Sequence, residues 1–206
     1  FYDILGYKSF LENNSVETVT NDINKVLHLI SNIDKHITNQ TLRIFNKTNK
    51  KIAKRLCSEM KWFIFSDTII QISIFNKDEE PGSKYNKWLI FLIASLCLNR
   101  YMFRNGLPLR GAISIGNFLS KNLCFAGKPF ITTYELANAL DLSACVITNE
   151  AYKEVETLIN SCRYENVKRL FNVLVVKYRI PIKTKNTYFI KQKKREVSLS
   201  TLNLLT

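Results

Sequence analysis

Residues 60–75 read MKWFIFSDTIIQISIF, and their pattern decides the fold. Two arms rich in β-branched and aromatic residues, Lys61–Phe65 and Thr68–Phe75, flank the polar pair Ser66-Asp67. Such runs favour a pleated, half-buried surface, and a polar pair between them predicts a hairpin with an acidic residue at its tip. On the C-terminal side, Asn76 to Lys84 carries Asp78, Glu79, Glu80, Pro81 and Gly82, an exposed turn. A strongly apolar helix follows over Tyr85 to Arg104, stopped by Asn105-Gly106. Leu109 to Phe118 (LRGAISIGNF) reads as a strand and Leu119 to Phe125 as the next one. Gly127-Lys128-Pro129 opens a helix to about Leu142, with proline in the first turn. Val146-Ile147 leads into a helix over Glu150–Ile159. Alternation at Val173, Val175, Val176 and Tyr178, and again at Tyr188, Phe189 and Ile190, predicts late edge strands.

On the N-terminal side of the hairpin, residues 38–52 (TNQTLRIFNKTNKKI) are polar and basic, and a loop or insertion is expected there. Between Val16 and Ile37 the residues Val19, Ile23, Val26, Leu27 and Ile30 recur at helical spacing. Phe1 to Gly6 (FYDILG) reads as a strand end running into a turn, with a helix starting at Tyr7-Lys8-Ser9-Phe10-Leu11. A strand this short in a central position suggests that the natural chain begins earlier. The resulting order, β-α-α-β-β-α-β-β-α-(β)-α-β-β, predicts an α+β sandwich on a mostly antiparallel sheet rather than a doubly wound one. No internal repeat or linker divides residues 1–206, so one domain is expected.

Bulk properties narrow the function classes. Five cysteines, an odd number without CxxC spacing and several within apolar runs, read as buried free thiols in a reducing cytoplasm. His28 and His36 make no zinc pattern with them. No secretory leader is visible. The longest apolar stretch, Trp88 to Leu98, falls short of the ~20 residues a membrane span needs, so a buried helix and no membrane insertion are expected. The formal charge of +13 reads first as a solubilising, lysine-rich surface, and second as attraction of polyanions, either nucleic acid or a nucleoside triphosphate. With no arginine-rich arm, zinc finger or aromatic RNP-type strand, nucleic-acid binding is the weakest reading of that charge.

Two residues carry candidate chemistry. Asp3 closes a strand before a helix start, and Asp67 sits at a hairpin tip. Taken singly, each could serve as a turn former. Both, however, adjoin unusually apolar strands, where a bare carboxylate costs stability. Two carboxylates sharing a site repel unless a cation lies between them, so removing either should slightly stabilise the metal-free protein. Magnesium favours carboxylate together with phosphate oxygens. A helix start offers free backbone N–H groups to an anion. The combination suits phosphoryl transfer.

FYDILGYKSF and IFSDTI resemble the two metal motifs of class III nucleotidyl cyclases, with Ser66 where glycine is usual. LRGAISIG resembles the family's Arg-x-Gly-Ile-His-Thr-Gly strand, agreeing at Arg110, Ile113 and Gly116 and differing at Ala112, Ser114 and Ile115. Gly127 followed by TTYELANAL resembles the dimer-face helix. In combination these motifs, spanning Phe1 to about Ile147, are most similar to the pyrimidine cyclases of bacterial Pycsar anti-phage defence.

The resemblance implies a ferredoxin-like, mostly antiparallel sheet flanked by helices and a head-to-tail homodimer. It implies two Mg2+ or Mn2+ ions on Asp3, Asp67 and the Ile4 carbonyl. Backbone amides from Leu5, Gly6, Tyr7 and Lys8 would cradle the phosphates, and Arg110 would either supply charge there or serve as a salt-bridged strand residue. The base pocket would involve Phe63 and Cys124, with an aromatic ring favouring a smaller base. The product would be cUMP or cCMP, acting through a separate cyclic-nucleotide-binding effector. In better-known family members the dimer-face helix carries an Asn and, four residues later, an Arg. Here those places hold Ile131 and Glu135, which keeps open a purine cyclase of another pathway or an inactive sensor or dimerisation module.

Overall fold

The hairpin forms where the sequence puts it. In the computed structural model, β2 (Lys61–Phe65) and β3 (Thr68–Ile72) pair antiparallel from Lys61↔Ile72 to Phe65↔Thr68, leaving Ser66-Asp67 as a two-residue turn. The structure describes residues 1–15, 17, 20, 21, 24, 28, 31–43, 47–76, 78–121, 124–162, 165–178, 180–183 and 200–202. Beside β3 lies β1 (Tyr2–Ile4), antiparallel to it and to β4 (Leu109–Ile113) on its other edge. Next comes β7 (Cys145–Ile147), parallel to β4, then β9 (Ser200–Leu202) and β8 (Val175–Lys177) at the edge. The order is β2-β3-β1-β4-β7-β9-β8, a mixed and mostly antiparallel sheet in an α+β protein. A separate two-stranded ribbon joins β5 (Leu119–Lys121) to β6 (Cys124–Ala126).

Strand side chains alternate between faces, and the core divides accordingly. One face carries Tyr2, Ile4, Ile69, Leu109, Ile113, Cys145 and Ile147. Packed on it are α2 (Ile33–Arg43), α3 (Lys47–Glu59), α4 (Pro81–Arg104), α6 (Asn149–Ser161) and α7 (Glu165–Leu174). The other face carries Phe1, Ile70, Ala112 and Val146, covered by α5 (Lys128–Ala139) through Leu136 and Ala137. A short α1 (Tyr7–Asn13) follows β1.

Helix α4 is apolar on nearly every side because it is enclosed by the sheet and by α2, α3, α6 and α7. Among the described residues no helix is long and apolar enough to cross a membrane. Gly111 marks the closest approach of β4 to β1: a Cβ there would collide with the Tyr2 ring and lie 2.9 Å from the Phe1 carbonyl oxygen. Tyr2 in turn donates to Gln71 Oε1 (3.3 Å), which also accepts from Ser95 Oγ (2.9 Å), a buried polar link between sheet and α4. Burial pushes the Cys145 thiol up to about 12 and that of Cys57 to about 11, so both are inert core groups. Cys57, Cys97, Cys124 and Cys145 form no disulfide, and Cys124 is exposed rather than buried.

Several expectations are corrected. Residues 38–52 are not a loop: α2 and α3 cover most of them. Ile33, Ile37 and Leu42, then Ala53, Leu56 and Cys57, form narrow buried stripes on otherwise polar helices. Val173 belongs to α7, whose buried Phe171 and Leu174 lie three apart on one helical face. In place of one strand over Leu119–Phe125, Leu119–Lys121 and Cys124–Ala126 form two strands paired antiparallel. The strands expected to reach Phe75 and Phe118 stop at Ile72 and Ile113, α4 begins at Pro81, and α5 ends at Ala139. Val19, Ile23, Val26, Leu27 and Ile30, and the run Tyr188 to Ile190, lie outside the described residues.

Candidate active site

The two acidic residues meet at one end of the sheet. Asp3 stands opposite Thr68 in the β1–β3 ladder, and the Ile4 amide donates to the Asp67 carbonyl oxygen at 3.0 Å. Sequence neighbours 64 apart thus become backbone neighbours, through β1 and the β2–β3 turn. Ser66 holds φ 52, the left-handed region in which glycine is the least strained residue. That is the physical reason glycine would suit this place better than the serine that occupies it.

Beyond Asp3 the chain leaves the sheet. The Leu5 amide donates to the Pro108 carbonyl at 2.9 Å, so it is engaged within the fold and is not one of the amides open to a phosphate. Gly6, at φ 76, turns the chain into α1, and the Phe10 amide closes the first turn on the Gly6 carbonyl. The amides of Gly6, Tyr7 and Lys8 therefore stand at a helix start. The Tyr7 ring packs partly against the core, while Lys8 pairs in solvent with Glu12 at 3.6 Å.

Arg110 lies opposite Asp3 in the β1–β4 ladder. Its Nε and Nη2 approach Asp3 Oδ2 at 2.8 and 2.7 Å, and Nη2 also donates to Asn138 Oδ1 on α5 at 2.9 Å. The Asp3 and Arg110 side chains are only 16% and 17% exposed, so this pair is shielded from solvent more than a surface ion pair. Among the described residues, no hydrogen bond or ion pair engages Asp3 Oδ1 or the Asp67 carboxylate.

Phe63 enters an aromatic cluster on the α5 face. Its ring stands edge-on to Phe125 at 4.8 Å, and Phe125 also meets Phe65 (5.9 Å), Phe118 (5.7 Å) and Phe130 (6.0 Å). Cys124 is exposed on the opposite side of β6, as strand alternation requires when Phe125 turns inward. The ring beside Phe63 is therefore that of Phe125, while Cys124 is exposed. On α5, Ile131 is 56% exposed and Glu135 half-buried.

Among the described residues no group of three or more His, Cys, Asp or Glu gathers to hold a metal. Two carboxylates suit a magnesium ion that takes its remaining ligands from substrate phosphates and water. Asp3 Oδ1 and Asp67 fit that donor set, with Arg110 as a competing cation on Oδ2. A cleft of about 510 Å3 lies at the other end of β1, lined by Phe1 and not by Asp3 or Asp67.

Sequence reasoning missed Phe125 and Asn138, and it offered a salt bridge for Arg110 without naming Asp3 as the partner. The motif LRGAISIG pointed to Arg110, but only the β1–β4 register reveals its partner. Fold and site together define an α+β protein with an acidic pair at a sheet end beside a helix start. Comparison of the chain with protein-family models, with curated proteins and with solved structures returns no match.

Proposed function

We propose that this chain is a pyrimidine nucleotide cyclase, converting UTP or CTP to a 3′,5′-cyclic nucleotide and pyrophosphate as an antiviral second messenger. The observation that supports it most is the convergence of Asp3 and Asp67 next to the start of α1. The strand order β2-β3-β1-β4 supports a ferredoxin-like, class III cyclase fold, since two interleaved β-α-β units give that order.

Asp3 and Asp67 would hold Mg2+ or Mn2+, which when bound neutralises the triphosphate and acidifies the ribose 3′-hydroxyl. The Gly6, Tyr7 and Lys8 amides would bind phosphate oxygens. Phe63 and Phe125 would bound a narrow, apolar base pocket that favours a single-ring base. Arg110, tethered by Asn138, orients the Asp3 carboxylate. In the reaction the 3′-oxygen forms a bond to the α-phosphorus as the α–β phosphoanhydride bond breaks. Pyrophosphate departs and the hydroxyl proton passes to solvent. Two copies arranged head to tail in the cytoplasm would form the working enzyme.

One observation favours a second reading, a catalytically inactive cyclase-like module. The Asp3–Arg110 ion pair supplies internally the positive charge that a metal would bring, and Ile131 and Glu135 replace the family's transition-state pair. Incubating the protein with each of the four NTPs and manganese, with products identified by mass spectrometry, separates the readings. The proposal expects cUMP or cCMP from the wild type and none from Asp67→Asn. A purine product would move the specificity to ATP or GTP. Absence of any product would leave the inactive module standing, and undiminished product from Asp67→Asn would remove Asp67 from the site.

A further inference from the structure

Arg110 meets Asp3 in a way that leaves part of both side chains uncommitted. Its Nε and Nη2 fall on the same oxygen, Oδ2, at 2.8 and 2.7 Å, and Nη2 also donates to Asn138 Oδ1 at 2.9 Å. Among the described residues no hydrogen bond engages Asp3 Oδ1 or Arg110 Nη1. A guanidinium is a planar fork of five donors, suited to carboxylate and phosphate alike. Here its Nη1 edge stays open to a second oxyanion while the Nε and Nη2 donors hold the first. Charge decides what this contact does to a divalent cation. With Arg110 on Asp3 the two charges cancel, and the site's net negative charge comes from Asp67 alone. A cation approaching Asp3 then meets an oxygen already held, beside a positive group shielded from solvent. Moving the guanidinium to an incoming phosphate restores both carboxylates at once. Asn138, on α5, anchors the guanidinium without belonging to either anion.

We propose that Arg110 is a resident counter-ion that blocks Asp3 to divalent cations until the triphosphate of a nucleotide draws the guanidinium away, so that metal binds with nucleotide and not ahead of it. The inference rests on the reading of Asp3 and Asp67 as the divalent site, and on neither the base nor the product. Because linkage is reciprocal, Arg110 released by one ligand favours the other. A fixed Arg110 and a moving one differ in one measurable respect. A guanidinium that stays on Asp3 weakens metal binding by the same factor with and without nucleotide. One that leaves for the phosphates weakens it only without nucleotide.

The test measures protein-retained Mn2+ by equilibrium dialysis and electron paramagnetic resonance for wild type, Arg110→Gln and Arg110→Lys. Each is run without nucleotide and with saturating 3′-deoxy-UTP, which has no 3′-hydroxyl to cyclise. Without nucleotide, Arg110→Gln should bind Mn2+ about tenfold more tightly than wild type. With 3′-deoxy-UTP that advantage should vanish. Arg110→Lys keeps the positive charge and should stay within about twofold of wild type without nucleotide. In wild type itself, the Arg110 Nε–H nuclear magnetic resonance signal should shift when 3′-deoxy-UTP and Mg2+ are added, a readout that needs no variant to fold. A gain of equal size in both states, no gain in either, or an unmoved Nε–H signal would overturn the proposal. Wild type that retains no Mn2+ in either state would overturn the divalent site itself, and the proposal with it.

Discussion

At Asp3 a single carboxylate oxygen takes both contacts from Arg110, and this distinguishes it from Asp67 in a way their shared charge does not. The relief expected on deleting a like-charged neighbour applies to Asp67 only. Asp3→Asn leaves a shielded guanidinium without its partner and should destabilise the metal-free protein by about 1–3 kcal/mol. Asp67→Asn should change stability by no more than about 0.5 kcal/mol. Urea unfolding of both variants checks this, and equal losses would contradict it. Ser66→Gly relieves the left-handed backbone and should add about 0.5–1 kcal/mol in the same assay. A loss of stability would mean that the serine side chain matters to the turn. The strand end at Asp3 and the hairpin tip at Asp67 were legible, because each announces itself locally, and the β1–β3 register makes them backbone neighbours. The pairing of Asp3 with Arg110 was not, because the register of a three-residue strand leaves no mark in the sequence.

The entrance to α4 illustrates the next scale. Glu79 accepts from Ser83 Oγ and the Asn76 amide and lies 2.8 Å from Lys87 Nζ, tying the preceding turn to the first turns of the helix. Burial acts to raise its pKa, but the hydrogen bonds from Lys87, Ser83 and Asn76, with the Lys87 charge, hold it below the ordinary carboxylate value. A lowered folded-state pKa gives stability that is present above the unfolded value of ~4.3 and is lost as pH falls through the folded one. Wild type should therefore exceed Glu79→Gln by about 1–2 kcal/mol at pH 6, with the gap closing below about pH 4. A gap that stays constant from pH 6 to 3 would contradict the assignment. Elements with dense apolar signals, the β2–β3 hairpin and α4, were readable from the chain. Helices α2 and α3 were not, since Ile37, Leu42, Ala53 and Leu56 thread a thin stripe through lysine and asparagine. The inward ring of Phe125 was missed by one place, which on a strand exchanges one face for the other.

Across the molecule, the face over α5 and the β5–β6 ribbon exposes apolar side chains that no described residue covers. Leu119 is 76%, Ile131 56% and Tyr134 52% exposed. A head-to-tail pairing of two copies would cover them. Ile131→Asp should then convert a dimer to a monomer in sedimentation velocity while leaving the circular dichroism spectrum unchanged; a wild type that sediments as a monomer at ~100 μM would contradict this pairing. The central claim is that two acidic residues, distant in sequence, share one divalent site with a nucleotide. The most direct measurement is Mn2+ bound in the presence of a non-cyclisable UTP or CTP analogue, counted by electron paramagnetic resonance for wild type, Asp3→Asn and Asp67→Asn. Each substitution alone should remove most of the nucleotide-dependent Mn2+, by about tenfold or more in affinity. Bound Mn2+ equal to wild type in either variant, with the fold intact, would contradict it.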